Sequence, residues 1–197
     1  DGKHAYVTGA FDDAVSWYER NASTGALTYG GVLKDGVGGV DGLNGAESVT
    51  LSADGAHAYV AAYYDNSVSW FSRDEGTGAL THGGTLKDGP NGVDGLSEAQ
   101  SVTLTADGAY AYVAAQRDAS ISWFSRNADT GELTYGGTLK DGVNGVVCEP
   151  TAEAIGSALN ALAIDRGRTA SLGGAGFERA RAISWDSVIE RLVGTDT

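Results

Sequence analysis

Residues 51–62 read LSADGAHAYVAA and residues 104–115 read LTADGAYAYVAA, so one stretch of sequence recurs after 53 residues. A related string, HAYVTG, begins at His4, one further period upstream. Between residues 54–92 and 107–145, 28 of 39 positions are identical. A period of this length, with several short apolar runs in each copy, indicates one supersecondary unit that is repeated along the chain.

Each copy contains runs of β-branched and aromatic residues that are bounded by turns rich in Gly and Asp. In the second copy, these predicted strands are residues 48–52, 58–61, 67–73 and 79–86. Four antiparallel strands joined by short turns form one blade of a β-propeller. We therefore predict an all-β fold, a β-propeller of about three four-stranded blades whose first blade lacks its inner strand. The predicted blades are residues 1–53, 54–106 and 107–145.

The rest of the chain, residues 146–197, contains no lysine and is rich in alanine. Ile155, Leu159 and Leu162 have the spacing of one helix face. Ser184 is a suitable N-cap for a second helix, after a glycine-rich link. We predict a short α-helical C-terminal tail that packs against a sheet face or another chain through Leu159, Leu162, Trp185 and Leu192.

Charge and composition exclude several classes of function. The formal net charge of −13 argues against nucleic acid and anionic membrane surfaces as partners. Cys148 is the only cysteine, so no internal disulfide can form, and we expect it to be a buried free thiol. The string GVGGVDGLN at residues 36–44 only faintly matches a calcium-binding nonapeptide. We expect no metal site and no cofactor.

Two sets of repeated side chains are candidates for ligand binding. One aromatic ring per blade suits a sugar or another small molecule, although a tryptophan that alternates with valine on a strand is also typical of the core between blades. A repeated aspartate just before that strand can bind a ligand, or it can accept hydrogen bonds from the backbone of its own turn. The candidates are Trp17, Trp70, Trp123, Asp12, Asp65 and Asp118.

The two histidines His4 and His57 share one repeat position, which the third copy fills with Tyr110. A ligand role would not survive that replacement. We therefore expect both histidines to lie on the strand surface, and we predict no catalytic residue.

The strings LSADGAHAYVAA and LTADGAYAYVAA, with the SWF and LTYGGTL strings that follow them, resemble the lactonase-like (YVTN-type) β-propeller family over residues 1–145. The resemblance implies that the SVTL-type strand is innermost and the LTYGGTL-type strand outermost in each blade. The family includes lactonases, muconate-lactonising enzymes and binding modules. Its enzymes place unlike polar residues from different blades around the channel. Because the blades of this chain are near copies, we expect no such site.

Residues 141–192 resemble the C-terminal end of retaining GT-B-fold glycosyltransferases of group 1. The matching strings are DGVNG, the helix-forming EAIGSALNALAI, and LGGAGFERARAISW. The catalytic part of those enzymes lies upstream and has no counterpart in this chain, so no catalytic residue is carried over. This resemblance implies a natural or engineered fusion at DGVNG.

Together these observations favour a non-enzymatic scaffold or ligand-binding module that completes its ring by self-association. Three blades do not close a ring, because propellers have about four to eight blades. We therefore predict a homo-oligomer, with a dimer of six blades favoured, and a sugar or small molecule as a further partner. The alternatives are a lactonase-like hydrolase and a fragment linked to a glycosyltransferase.

Overall fold

The computed structural model of the chain describes residues 2–146, 148 and 151–181. The chain divides into two compact units, Asp1–Thr138 and Leu139–Thr197. The first unit contains three antiparallel sheets, and the second contains two helices. The boundary that the composition suggests at residue 145 stays a prediction.

Each sheet is built from strands that are neighbours both in sequence and in space. Sheet 1 contains β1 (His4–Gly9), β2 (Ala14–Arg20) and β3 (Leu27–Lys34). Sheet 2 contains β4 (Ala46–Leu51), β5 (His57–Ala62), β6 (Ser67–Arg73) and β7 (Leu80–Lys87). Sheet 3 contains β8 (Ala99–Leu104), β9 (Tyr110–Ala115), β10 (Ser120–Arg126) and β11 (Leu133–Lys140). The predicted strands, and the strand missing from the first copy, are confirmed.

The turn from β4 to β5 shows how the repeated Asp-Gly pair forms a hairpin. Gly55 adopts φ +73°, a left-handed conformation that glycine accepts at no steric cost. The Asp54 carboxylate accepts hydrogen bonds from the Ser52 hydroxyl and from the Ala56 N–H. These two bonds hold the pKa of Asp54 down at about 2. The turn is therefore fixed by both of its central residues.

A tryptophan on one strand of each sheet lies against a glycine pair on the outer strand. In sheet 2, Trp70 is opposite Gly84, and the register shifts just after it, so that Gly83 bulges out. A Cβ on Gly84 would lie 2.7 Å from Cη2 of the indole, and a Cβ on Gly83 would lie 2.7 Å from its Cδ1. Only glycine leaves room for the ring. The same packing joins Trp17 to Gly30 and Gly31, and Trp123 to Gly136 and Gly137.

Two apolar clusters lie between the sheets. One joins sheet 1 to sheet 2 around Val15, Leu43 and Phe71, and the other joins sheet 2 to sheet 3 around Leu96 and Phe124. All five side chains are completely buried. Burial of each such side chain stabilises the unit by roughly 1.5–3 kcal/mol. The three sheets therefore stack in chain order within the first unit.

The second unit contains α1 (Ala152–Ile164) and α2 (Arg166–Arg181). The hydroxyl of Thr151 accepts a hydrogen bond from the Ala154 N–H at 3.1 Å and caps α1, which confirms the first predicted helix. The glycine-rich link predicted after it is wrong, since that segment forms α2. Glycine weakens a helix by only about 1 kcal/mol per residue, so a few glycines do not prevent one.

Three further predictions concern the tail: the packing of Leu159, the burial of Cys148 and a helix from Ser184. Leu159 is 63% exposed, so its predicted packing is not observed. Cys148 lies outside the strands and helices and is exposed, so the prediction of a buried thiol is wrong. The helix predicted from Ser184 falls outside the described residues. Neither α1 nor α2 is long and apolar enough to cross a membrane.

Candidate functional site

A buried polar junction connects sheet 2 to sheet 3. The Tyr59 hydroxyl donates to the carbonyl of Gly131 at 2.9 Å and accepts from Nε of Arg126 at 2.6 Å. Arg126 also donates through Nη2 to Nδ1 of His57 at 2.9 Å and through Nη1 to the Gly108 carbonyl at 3.2 Å. We call this group the second junction. It joins β5 of sheet 2 to two parts of sheet 3, the turn between β10 and β11 and the end of β10.

The first junction repeats these contacts between sheet 1 and sheet 2. The Tyr6 hydroxyl donates to the Gly78 carbonyl at 2.8 Å and accepts from Nε of Arg73 at 2.6 Å. Nη2 of Arg73 lies 2.8 Å from Nδ1 of His4. The repeated arginines were the signal for these junctions, and the sequence analysis missed them.

The prediction that both histidines lie on the strand surface is wrong for His57, which is only 4% exposed. The next sheet covers it and places Arg126 beside its ring. Burial, and then the charge of Arg126, lower the pKa of His57. Burial and Arg73 lower the pKa of His4 in the same way. Both rings therefore accept from an arginine while they are neutral.

Lowering the pH from about 8 to about 5 is expected to lower the melting temperature of the first unit. The pKa values of His57 and His4 in the folded chain lie below the ordinary value of 6.5, so the unfolded chain takes up protons first. The stabilisation present above pH 6.5 is therefore lost as the pH falls below it. Calorimetry across this range measures the effect. A double variant, His4→Asn with His57→Asn, should show a flatter profile, and an unchanged slope would contradict the assignment.

The predicted aspartates lie in the turns between the second and third strands of the repeat. Oδ2 of Asp65 accepts from the Asn44 N–H, and Oδ2 of Asp118 accepts from the Ser97 N–H, both at 3.1 Å. Asp12 is exposed. In the two complete sheets, these carboxylates thus bond to the backbone of the segment that enters the same sheet.

Two of these aspartates belong to groups of three carboxylates whose oxygens lie within 4.8 Å of one another. The groups are Asp35, Asp41 and Asp65, and Asp88, Asp94 and Asp118. In the first group, the Lys87 ammonium bonds to Asp41 at 2.8 Å and to Asp65 at 3.0 Å. A lysine at the end of β7 thus supplies a positive charge to this group.

A separate open cleft lies where the turns of sheets 2 and 3 meet. It has a volume of about 330 Å³. Tyr63, Tyr64 and Asn66 come from the turn between β5 and β6, while Glu98 precedes β8 and Arg117 lies between β9 and β10. The cleft therefore combines two aromatic rings, an amide, a carboxylate and a guanidinium from two neighbouring sheets.

Hydrogen bonds to backbone groups hold Asn66 and Glu98 in position. Oδ1 of Asn66 accepts from the Glu98 N–H at 2.7 Å, and the Glu98 carbonyl accepts from the Gln116 N–H at 3.0 Å. Asn66 and Glu98 both adopt left-handed φ angles, 51° and 59°. Their counterparts Asp13, Ala119 and Gly45 also have positive φ angles, so these conformations belong to the turns of the repeat. The two sheets thus hold each other's cleft residues in place.

The polar groups of the cleft interact with one another. The Glu98 carboxylate lies near the Tyr63 hydroxyl and raises the pKa of Tyr63. The rings of Tyr63 and Tyr64 meet edge to face, with centroids 5.0 Å apart. A carboxylate, a hydroxyl and aromatic surface therefore face the same small volume, where an arginine is also present.

The cleft lies at positions that differ between the copies. The turn reads AFDD at residues 10–13, YYDN at 63–66 and QRDA at 116–119, so only its aspartate is constant. The counterpart of Glu98 in the preceding copy is Gly45. A Cβ at Gly45 would lie 2.7 Å from Cδ2 of Tyr64, so glycine makes room for that ring. The cleft therefore gathers unlike side chains from copies that are nearly identical elsewhere.

None of the six residues predicted from the sequence lines this cleft. Asp65 and Asp118 lie in the turns that supply cleft residues, but they bond to the backbone. Trp17 and Trp70 belong to the apolar clusters. The positions at which the aligned copies differ indicate the cleft. The sequence analysis used only the positions at which the copies are identical.

Comparisons with known proteins agree with the repeat. The family model described as "Lactonase, 7-bladed beta-propeller" matches residues 1–148. This match confirms the propeller fold and the resemblance stated for the repeats. It gives no support to the glycosyltransferase resemblance of residues 141–192, and no curated protein matches the sequence.

Three solved structures illustrate the likeness. A proposed 6-phosphogluconolactonase from Bacteroides fragilis is 26% identical, with a TM-score of 0.60 over 71% of this chain and 36% of that protein. The periplasmic gluconolactonase PpgL of Pseudomonas aeruginosa is 24% identical, with a TM-score of 0.61 over 71% and 37%. A protein from Lactobacillus plantarum is 26% identical, with a TM-score of 0.55 over 69% and 37%. The chain thus spans little more than a third of each.

These matches correct one prediction from the sequence. The chain was expected not to be an enzyme, but the matching family is one of lactonases, and two of the similar structures are named as lactonases. Both findings point to a family of hydrolases.

Proposed function

The chain belongs to the lactonase family of seven-bladed β-propellers, and on that basis we propose that it contributes a substrate-binding cleft to a lactone hydrolase. The proposed site is the cleft of Tyr63, Tyr64, Asn66, Glu98 and Arg117. One observation carries this proposal: four of the five residues differ from their counterparts in every other copy of the repeat, and Glu98 replaces a glycine. Unlike side chains that meet on a concave surface favour a role in recognition over a role in folding.

The cleft contains the groups that lactone opening requires. Hydrolysis of a cyclic ester needs a base that takes a proton from water and a positive or hydrogen-bonding group near the developing oxyanion. In the proposal, the Glu98 carboxylate is the base, and the Tyr63 hydroxyl beside it orients it. The Arg117 guanidinium stabilises the negative charge.

The shape and charge of the cleft support a small sugar lactone as the substrate. A volume of about 330 Å³ is at the lower end of the range for small-molecule sites. The rings of Tyr63 and Tyr64 offer apolar faces against which a sugar ring can pack. The cleft contains one arginine and one glutamate, and the chain carries a formal charge of −13. This balance favours a neutral lactone, such as gluconolactone, over a phosphorylated one.

Replacement of Glu98 by glutamine is expected to lower the rate of gluconolactone hydrolysis at least about tenfold, because the amide cannot accept a proton from water. Acid release at constant pH by the purified chain measures the rate above the spontaneous reaction. Glu75→Gln is the matched control, since Glu75 is exposed in the turn between β6 and β7. It should leave the rate unchanged.

A second part of this experiment compares the rate of hydrolysis of gluconolactone with that of its 6-phosphate. Preference for the neutral lactone supports the charge argument, and preference for the phosphate contradicts it. If neither lactone is opened faster than in buffer, the proposed function is wrong for this chain. Equal rates for Glu98→Gln and the unaltered chain would assign the reaction to another site.

A further inference from the structure

Three asparagines of the chain are followed directly by glycine, namely Asn44, Asn91 and Asn144. Asparagine is among the thermolabile residues of proteins. The backbone nitrogen of the next residue can attack its side-chain amide, and a glycine leaves that nitrogen accessible because it has no Cβ. The three pairs are equivalent in sequence, but their surroundings in the folded chain differ.

The Asn44-Gly45 pair is enclosed and hydrogen-bonded. Gly45 is buried, and its N–H donates to Oδ1 of Asp13 at 2.9 Å. The Asn44 carbonyl accepts from the N–H groups of Tyr64 at 3.2 Å and Asp65 at 3.1 Å. The nitrogen that would attack is therefore engaged, and the peptide group that carries it cannot rotate.

The Asn144-Gly145 pair is held through the asparagine side chain. Oδ1 of Asn144 accepts from the Lys140 N–H at 2.8 Å, and the Asn144 N–H donates to the Lys140 carbonyl at 3.3 Å. A Cβ at Gly145 would collide with Cδ1 of Leu139, so this glycine is closely packed. The side-chain amide is thus fixed on the backbone of Lys140.

The Asn91-Gly92 pair is open. Residues 87–93 and 140–146 differ at one position only, so Asn91 is the counterpart of Asn144. Asn91 and Gly92 are both exposed, and the Asn91 side chain makes no hydrogen bond within the part of the chain that the structure describes. A Cβ at Gly92 would have no atom within 4 Å beyond the adjacent residues. Neither packing nor a side-chain hydrogen bond restrains this pair.

The turn around this pair is closed by the residues on either side of it. The Gly89 N–H donates to the Val93 carbonyl at 2.9 Å, and the Val93 N–H donates to the Pro90 carbonyl at 3.1 Å. Asn91 adopts φ 55° and ψ 27°, a left-handed conformation that asparagine tolerates. Attack requires rotation about ψ of Asn91, and Gly92 can compensate through its own φ. The rotation that brings the two reacting atoms together is therefore local.

We propose that Asn91 is a site of spontaneous deamidation in the folded chain, whereas Asn44 and Asn144 are protected. The Gly92 nitrogen loses its proton to hydroxide and attacks Cγ of Asn91. The new N–Cγ bond closes a five-membered imide, the Cγ–Nδ2 bond breaks, and Nδ2 leaves as ammonia after it takes a proton from water. Water then opens the imide at either of its two carbonyl carbons, which gives aspartate or isoaspartate.

Deamidation changes the charge of the segment that enters sheet 3. Either product replaces a neutral amide with a carboxylate, in a segment that already contains Asp88 and Asp94. The formal net charge of −13 becomes more negative by one unit. Isoaspartate also adds a carbon to the main chain between Asp88 and Leu96, whose hydrogen bond at 2.9 Å closes this segment. A modified chain therefore differs from an unmodified one in both charge and mass.

Mass spectrometry of the folded 197-residue chain tests the proposal. The chain is kept below its melting temperature in mildly alkaline water enriched in the heavy oxygen isotope, and is then digested in ordinary acidic water. We expect heavy oxygen to enter at Asn91 at least about tenfold faster than at Asn44 or Asn144, because a misplacement of about 1 Å can slow a reaction about 100-fold. The rate at Asn91 should rise with pH, since hydroxide removes the proton.

The unfolded chain in urea is the matched control. Without the fold, the three asparagines share a following glycine and no longer differ in packing, so we expect similar rates at all three. Asn91→Gln is a second control, because glutamine would have to close a larger ring. This variant should lose the acidic species that the unaltered chain forms on anion exchange, and circular dichroism checks that it keeps the fold.

Other outcomes overturn the proposal. Equal rates at the three asparagines of the folded chain would mean that the fold does not select the site. A slow reaction at Asn91 in the folded chain, with fast reactions in urea, would mean that the turn protects it. A preference for Asn91 that persists in urea would assign the selectivity to the local sequence. An acidic species that persists in Asn91→Gln would place the modification elsewhere.

Discussion

Replacement of Gly84 by alanine is expected to destabilise the first unit by about 2–3 kcal/mol, the cost of forcing extra volume into a packed core. The added Cβ would lie 2.7 Å from Cη2 of Trp70 and 3.0 Å from its Cε2. The indole is enclosed between its own sheet and the apolar cluster around Leu96, so it has no free space to move into. Thermal unfolding followed by circular dichroism measures the loss.

Two controls identify the steric cause. Gly76→Ala adds the same methyl group in the turn between β6 and β7, where the nearest atom is Oδ1 of Asp74 at 3.4 Å. We expect no loss of stability there, since alanine also restricts the unfolded chain. Combining Gly84→Ala with Trp70→Leu should cost less than the sum of the two single changes. A melting temperature for Gly84→Ala equal to that of Gly76→Ala would refute the packing argument.

The second large effect is expected for Arg126→Ala, with a loss of about 3 kcal/mol in the free energy of unfolding. This change removes four hydrogen bonds, to Tyr59, His57, Gly108 and Asp54. The Tyr59 hydroxyl is completely buried, so no water replaces the lost donor. Unfolding in urea measures the difference.

Arg20→Ala is the matched control, because Arg20 occupies the same repeat position but is exposed, and its side chain bonds only to Gly2 among the described residues. We expect a loss below about 0.5 kcal/mol for this variant. Equal losses for the two variants would show that the second junction does not stabilise the stack of sheets.

The sequence predicts the fold well because a 53-residue period constrains every copy at once. Strand β6 was predicted without error at residues 67–73, and the turns beside the strands were predicted from their Gly and Asp content. The alternation of apolar and polar residues gives the strands, and Asp-Gly pairs give the turns. These are local signals. They are present in each copy and confirm one another.

The cleft was not predictable by the same reasoning, since it depends on which turns lie side by side. Tyr63 and Glu98 are 35 positions apart, and only the stacking of sheets 2 and 3 brings them together. The buried position of His57 also depends on a neighbouring sheet, which supplies Arg126. Residues that are identical in the copies indicate packing, because all sheets pack in the same way. Differences between copies were needed to locate the site.

The junctions also have a consequence for how the chain folds. Because sheets 2 and 3 offer the same arginine and the same turn carbonyl, Tyr6 of sheet 1 could be captured by Arg126 instead of Arg73 during folding. Such misassembly of similar neighbouring units is a common kinetic trap. The connection from β7 to β8 opposes it: Oδ1 of Asp88 accepts from the Leu96 N–H at 2.9 Å and closes this segment into a short loop. Short loops close faster than long ones, so each sheet meets its immediate neighbour first and the correct order of blades is selected kinetically.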